Sequence, residues 1–394
     1  MLAALLLAAV AAPQEFNYDE AKVPDYTLPP VLAEADAPED WPQRRAEIVK
    51  LFEQHVYGVT PPAPESIAFE TSSETVQWEG WPEVEWRDVT IAYETPSGPF
   101  SQGVTVVLPA GASAEKPAPV FTLIRYTPRS RPPISKDEPE RDYCPWGPIA
   151  AAGCAVAVVY VDDVAPDDKE RFDSKLLKAY GLDRETLGER PADGCGALAA
   201  WGWGASRFLD YCEQAEDLDA ERVAILGHSR AGKAAWWAGA RDPRFSVVIS
   251  NNSGCGGAAL SRRRFGETVA KINDSFPHWF CPRFRTYDNN EDALPVDQHM
   301  LAAAMAPRAV YAGSASEDGW ADPRGEFLSL VEANPAFALC GDPRLAPEDM
   351  PEPGGVVTKG RRGYHLRPGG HSLKKYDWER YLQFATEQWK NAAD

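Results

Sequence analysis

The sequence predicts an α/β protein in which a mostly parallel central sheet carries helices on both faces, a three-layer sandwich. Two observations lead to this. Short continuous apolar runs recur at residues 120–124, 155–161, 223–226, 247–249 and 309–312, as strands buried on both faces do. Helical segments alternate with these runs, and such alternation implies parallel strands joined by crossover helices.

The elements follow in order. Residues 1–12 are apolar and end in small residues, which reads as a signal peptide without its usual leading positive charges. This run is too short to span a bilayer, and residues 13–394 are read as a single domain. In residues 41–57, Ile48, Leu51, Phe52 and Val56 fall on one helical face, and Gly58 is the stop. Residues 66–109 tend to alternate, best in Val84-Glu85-Trp86-Arg87 and Val89-Thr90-Ile91, and predict antiparallel strands leading into the sheet. Helices are predicted near 198–213, 231–240 and 378–391, with a last strand at 360–366.

The 394 residues are 44 % hydrophobic and 25 % charged, with a net charge of −19. So acidic a chain is a poor partner for nucleic acid or an anionic membrane. Seven cysteines leave at least one unpaired, and Cys154, in an apolar run, reads as a core thiol. No Cys-x-x-Cys or His-x-x-x-His spacing is present, so neither a metal site nor a cofactor is expected. The 13 tryptophans suit a protein that meets sugars, although most tryptophans are core residues.

Ile225-Leu226-Gly227-His228-Ser229-Arg230-Ala231-Gly232-Lys233 runs from a strand through a glycine-flanked serine into a helix. That is the context of a nucleophile elbow in an α/β-hydrolase fold. The pattern asks for glycine two residues after the serine; here Ala231 stands there and Gly232 follows. A serine at this place could instead be a helix N-cap. A hydroxyl nucleophile needs a base. His228 is adjacent and diverges from the serine, and His55, His278, His299 and His365 have no distinctive context. His371, in the Gly-rich loop after the last predicted strand, fits the chain order serine, acid, histidine. The acid belongs in the loop after the penultimate strand, where Glu317, Asp318 and Asp322 stand. Asp322 precedes a proline and reads as a turn or cap residue; spacing does not separate Glu317 from Asp318.

At these residues the chain resembles the glucuronoyl esterases, carbohydrate esterase family fifteen, and their bacterial members in particular. Gly227 to Lys233 match Gly-x-Ser-Arg-x-Gly-Lys. Ser253-Gly254-Cys255-Gly256-Gly257-Ala258-Ala259, Arg264-Phe265-Gly266-Glu267, Trp320-Ala321-Asp322-Pro323-Arg324-Gly325-Glu326-Phe327 and Gly370-His371 extend the likeness. The resemblance implies a metal-free serine esterase cleaving esters between glucuronic acid on xylan and lignin alcohols. By it Ser229 is the nucleophile, His371 the base and Arg230 a holder of the oxyanion. Lys233 and Glu267 would meet sugar hydroxyls, and Trp320 would border the sugar pocket. Two cations in a helix's first turn oppose its dipole, which favours a use for Arg230 and Lys233 over a solvated pair. Asn252 stands where many members carry a glutamate, so the acid moves to Glu317 or Asp318; the resemblance favours Asp318, two residues before Trp320. His228 and Ser372 stand where fungal members carry two cysteines, so that disulfide is not expected.

The resulting expectation is a monomeric secreted or periplasmic esterase acting on glucuronoxylan or a lignin–carbohydrate ester. Two alternatives stand beside it. A xylan acetyl esterase on the same fold would need only a small apolar slot. A non-catalytic polysaccharide-binding protein would be favoured by Asn252 and opposed by an intact Ser229, His371 and carboxylate pair.

Overall fold

The computed structural model describes residues 16–34, 37–126 and 134–392, so the predicted leader at 1–12 lies outside the described residues. Ten strands form one sheet in the order β1-β2-β3-β5-β4-β6-β7-β8-β10-β9. The first three, β1 Ser66–Val76, β2 Val84–Thr95 and β3 Gly98–Pro109, are antiparallel, as the alternating pattern predicts. The middle strands are β4 Ala118–Arg125, β5 Ala155–Tyr160, β6 Leu218–His228, β7 Val247–Asn251, β8 Ala309–Ala315 and β10 Arg362–Arg367. They pair in parallel from β5 across to β10. One strand was not foreseen: β9 Val356–Lys359 closes the far edge as a hairpin on β10. Gly360, at φ 57°, makes that turn, so the last strand begins at Arg362 rather than at residue 360.

Each middle strand feeds two cores. Val223 and Ile225 of β6 enter one cluster while Ala224 and Leu226 enter the other, and the same alternation holds in β4 and β5. Both faces are buried, which is why these strands read as unbroken apolar runs. Five helices matter below: α1 Trp41–Phe52, α2 Ala197–Cys212, α3 Arg230–Arg241, α4 Pro323–Glu332 and α5 Lys375–Asn391. Residues of α1 to α4 pack into the first cluster, and Trp378, Tyr381, Phe384 and Trp389 of α5 into the second. Residues 53–57 continue α1 as a wider turn ending at Gly58, φ 87°. This is the three-layer arrangement of the α/β-hydrolase fold.

All seven cysteines are unpaired; six are buried, Cys154 among them, and Cys340 is exposed. Among the described residues no helix is long and apolar enough to cross a membrane. Among the same residues no group of three or more His, Cys, Asp or Glu side chains is placed to hold a metal ion.

Candidate active site

The carboxyl ends of β6, β7, β8 and β10 converge on a cavity of about 350 Å³ lined by Ser229, Arg230, Lys233, Asn252, Glu267, Asp318, Trp320 and His371, among others. Parallel sheets place their sites at this end because the connecting loops open there.

Ser229 occupies the turn between β6 and α3 at φ 58°, ψ −127°. A non-glycine residue held there stores strain, typically about 1–3 kcal/mol, that its surroundings must over-determine. Two features do so. The Ser229 N–H donates to the Asn251 carbonyl at 2.8 Å. A Cβ on Gly227 would fall 2.0 Å from the Ala231 carbonyl oxygen, so only glycine fits. Ala231 is itself buried without conflict. The close approach on the helix side falls on Gly232, whose Cβ position is 3.0 Å from the Gly227 carbonyl and 3.2 Å from that of Asn251.

His371 follows β10, and its Nδ1 lies 2.6 Å from Asp318 Oδ2. The two loops meet because the β8–β10 ladder continues past the strands: Ser316 N donates to Arg367 O at 2.8 Å and Glu317 N to Gly369 O at 3.0 Å. Asp318 is 5 % exposed; Glu317, which spacing could not distinguish from it, is exposed. Asp322 caps α4, accepting from Gly325 N. His228 does not compete as a base. It is buried, its Nδ1 is 2.7 Å from Asn251 Oδ1, and its ring lies 4.6 Å from that of His371 at a tilt of 45°. Burial, reinforced by the neighbouring His371, pushes its pKa down to about 3, so it stays neutral at any ordinary pH.

The two cations of α3 are not a solvated pair. Arg230 pairs with Asp167 Oδ2 at 2.7 Å and its guanidinium lies over the rings of Tyr126, Phe276 and Trp279 at 4.7–5.0 Å. Asp167 also accepts from Trp279 Nε1 at 2.8 Å and meets His278 Nε2 at 3.0 Å. Burial alone would raise this carboxyl, but the bonds from His278, Arg230 and Trp279 outweigh it and hold Asp167 below its ordinary range. Lys233 is 4 % exposed. Its ammonium donates to Ser253 O and Cys255 O, both at 2.6 Å, and to Glu267 Oε2 at 3.2 Å. An ammonium has three donors, and here they meet two carbonyls and the Glu267 carboxylate. Lys233 thus lines the cavity as a buried charge that orients Glu267. Trp320 lines the cavity, and its carbonyl accepts from Glu267 N at 3.1 Å.

Three groups escaped the sequence reading. Glu326 of α4 is fully buried and accepts from Ser253 N, Gly254 N, Ser253 Oγ and Ser314 Oγ at 2.6–3.1 Å. Asp167 lies beyond the end of β5, a carboxyl strand end of the kind that collects active-site groups, and its position was the available signal. His365, which lacked context in the sequence, is fully buried with Nε2 2.8 Å from Asp377 Oδ1. Nothing in its local sequence signals a partner twelve residues on.

Comparisons with known proteins show which family the chain is similar to. A family model described as glucuronyl esterase of fungi matches residues 146–341. Carbohydrate esterase MZ0003, from an unknown prokaryotic organism, is 39 % identical over 98 % of this chain and 94 % of its own. The glucuronoyl esterase of Solibacter usitatus is 38 % identical, with a TM-score of 0.84 over 94 % of this chain and all of its own. The chain belongs to the glucuronoyl esterases, carbohydrate esterase family fifteen. It is therefore a carboxylic ester hydrolase, and the resemblance carried by residues 227–233 is a true relationship. A 4-O-methyl-glucuronoyl methylesterase of Schizophyllum commune is 28 % identical over 77 % of this chain and 70 % of its own.

Proposed function

We propose that this esterase hydrolyses the ester joining glucuronic acid or 4-O-methyl-glucuronic acid of glucuronoxylan to a lignin alcohol, through an acyl-enzyme on Ser229. Ser229 Oγ attacks the ester carbonyl while His371 Nε2 takes its proton. Asp318 fixes the other ring nitrogen as the donor and steadies the imidazolium that forms. The oxyanion develops at the start of α3, where free backbone N–H groups and the Arg230 guanidinium stabilise it. Collapse expels the alcohol, which receives the proton from His371. Water then repeats the sequence on the acyl-enzyme and releases the uronate. No metal or cofactor is used.

The observation that carries this reading is the His371–Asp318 contact of 2.6 Å in the same cavity as a serine held at positive φ. For the sugar, Glu267 is oriented by Lys233 and keeps lone pairs for ring hydroxyls, and Trp320 supplies a flat wall. The names of the relatives point to the same acid. The apolar run at residues 1–12, read as a leader, supports a secreted or periplasmic enzyme.

Side-by-side turnover of benzyl glucuronate and acetylated xylan tests the substrate. Preference for the glucuronate ester is expected; faster release of acetate would make this an acetyl esterase.

A further inference from the structure

Residues 16–22 lie against the outer side of the two loops that build the Trp320 wall. The ring of Phe16 meets Trp320 edge-on at 4.9 Å. The carbonyl of Asn17 accepts from Gly266 N at 2.8 Å, one residue before Glu267. Tyr18 packs edge-on to Phe265 at 6.2 Å, and a Cβ on Gly319 would fall 3.0 Å from its ring. The Glu20 carboxylate reaches Arg263 at 2.7 Å and Arg324 at 3.8 Å, one from each side of the wall. The segment is stiffened locally, since Asn17 Oδ1 accepts from Asp19 N at 2.9 Å and Asp19 Oδ1 from Ala21 N at 3.0 Å.

The two loops touch each other as closely as backbone allows. Gly266 sits at φ +61°, and a Cβ there would fall 2.4 Å from the Gly319 carbonyl oxygen. The Glu267 N–H to Trp320 carbonyl bond ties them together on the cavity side. No residue of the 16–22 segment lines the cavity, yet it contacts the residues flanking both groups assigned to the sugar.

From this we infer that residues 16–20 are a positioning strap. Phe16 fixes the indole of Trp320, and Asn17 with Glu20 fixes the peptide leading to Glu267. The strap therefore sets affinity for the sugar and leaves the chemistry at Ser229 untouched. The inference rests on the reading that Trp320 and Glu267 meet the uronate.

Phe16→Ala and Glu20→Gln, singly and together in the full chain, test it. With benzyl glucuronate, KM should rise about threefold to tenfold in the double variant, the worth of one aromatic contact. kcat should stay within about twofold, the signature of lost uniform binding. Hydrolysis of 4-nitrophenyl acetate, which has no sugar to place, should be unchanged. Hydrogen exchange at the Gly266 and Glu267 amides should quicken. An unchanged KM, or a parallel loss on both esters, would overturn the strap, because a merely stabilising role moves both substrates together. Should the unaltered enzyme hydrolyse the acetate but not the glucuronate, the uronate reading fails, and exchange at Gly266 and Glu267 alone decides whether the strap holds the wall.

Discussion

Asp318 Oδ2 and His371 Nδ1 lie 2.6 Å apart, with Asp318 buried and His371 partly open to the cavity. A buried carboxylate behind a more exposed imidazole fixes the tautomer and leaves Nε2 free to take a proton.

Asp318→Asn should therefore lower kcat by about 10³–10⁴-fold, as loss of the tautomer-fixing acid does in serine triads. Glu317→Gln should leave kcat within about twofold, because Glu317 is exposed. Steady-state kinetics on benzyl glucuronate decides between them; comparable losses in both variants would return the acid to an open question.

Arg367 holds the loop that carries the histidine. Its guanidinium donates to the carbonyls of Pro368, Gly370 and Ser372 at 2.9–3.0 Å and to the Asp377 carboxylate at 3.2 Å. Arg367→Lys keeps the charge but loses the fork that reaches these acceptors. It should lower kcat at least about tenfold with little change in KM, since a displacement of about 1 Å costs catalysis heavily. Equal kcat in the variant would show that the loop holds itself.

Glu326 gives stability a pH dependence. Burial, with a smaller push from Asp318, raises its carboxyl from 4.5 to about 7, against the pull of bonds from Ser314, Gly254 and Ser253. Its folded pKa exceeds its unfolded one, so the folded state binds the extra proton between these values. The contribution is complete below about pH 4.5 and is lost as pH rises through about 7. Glu326→Gln keeps an oxygen for Ser253 and Gly254 and offers an amide to Ser314 Oγ. Urea unfolding at pH 5 and pH 8 should show the wild type losing about 2–3 kcal/mol more than this variant. Identical losses would place the titration elsewhere.

Much of this was legible in the chain. The middle strands announced themselves because both of their faces are buried, and Ser229 because a tight turn leaves room only for small neighbours such as Gly227. The antiparallel lead-in was visible through alternation. Hairpin β9 was not, because its four residues are half exposed and carry no long pattern. The site was legible where function forces a local motif, as at residues 227–233 and 370–371. It was hidden where a role depends on three-dimensional partners. Lys233 read as a group for sugar hydroxyls, and the carbonyls of Ser253 and Cys255 and the Glu267 carboxylate that hold it could not be read from the chain. Glu326 drew no reading of its own, yet it accepts from Ser253 and Gly254 and so clamps the loop behind Asn252. Glu317 and Asp318 were inseparable until the β8–β10 ladder fixed which one faces His371.

The central claim is that Ser229 is the nucleophile. Turnover of benzyl glucuronate by Ser229→Ala, with its fold verified by circular dichroism, tests it most directly. A fall in kcat of about 10⁴–10⁶-fold is predicted, as for other serine hydrolases deprived of the attacking hydroxyl. Activity within about tenfold of wild type would contradict it, because no positioning role for Ser229 leaves the chemistry without its nucleophile.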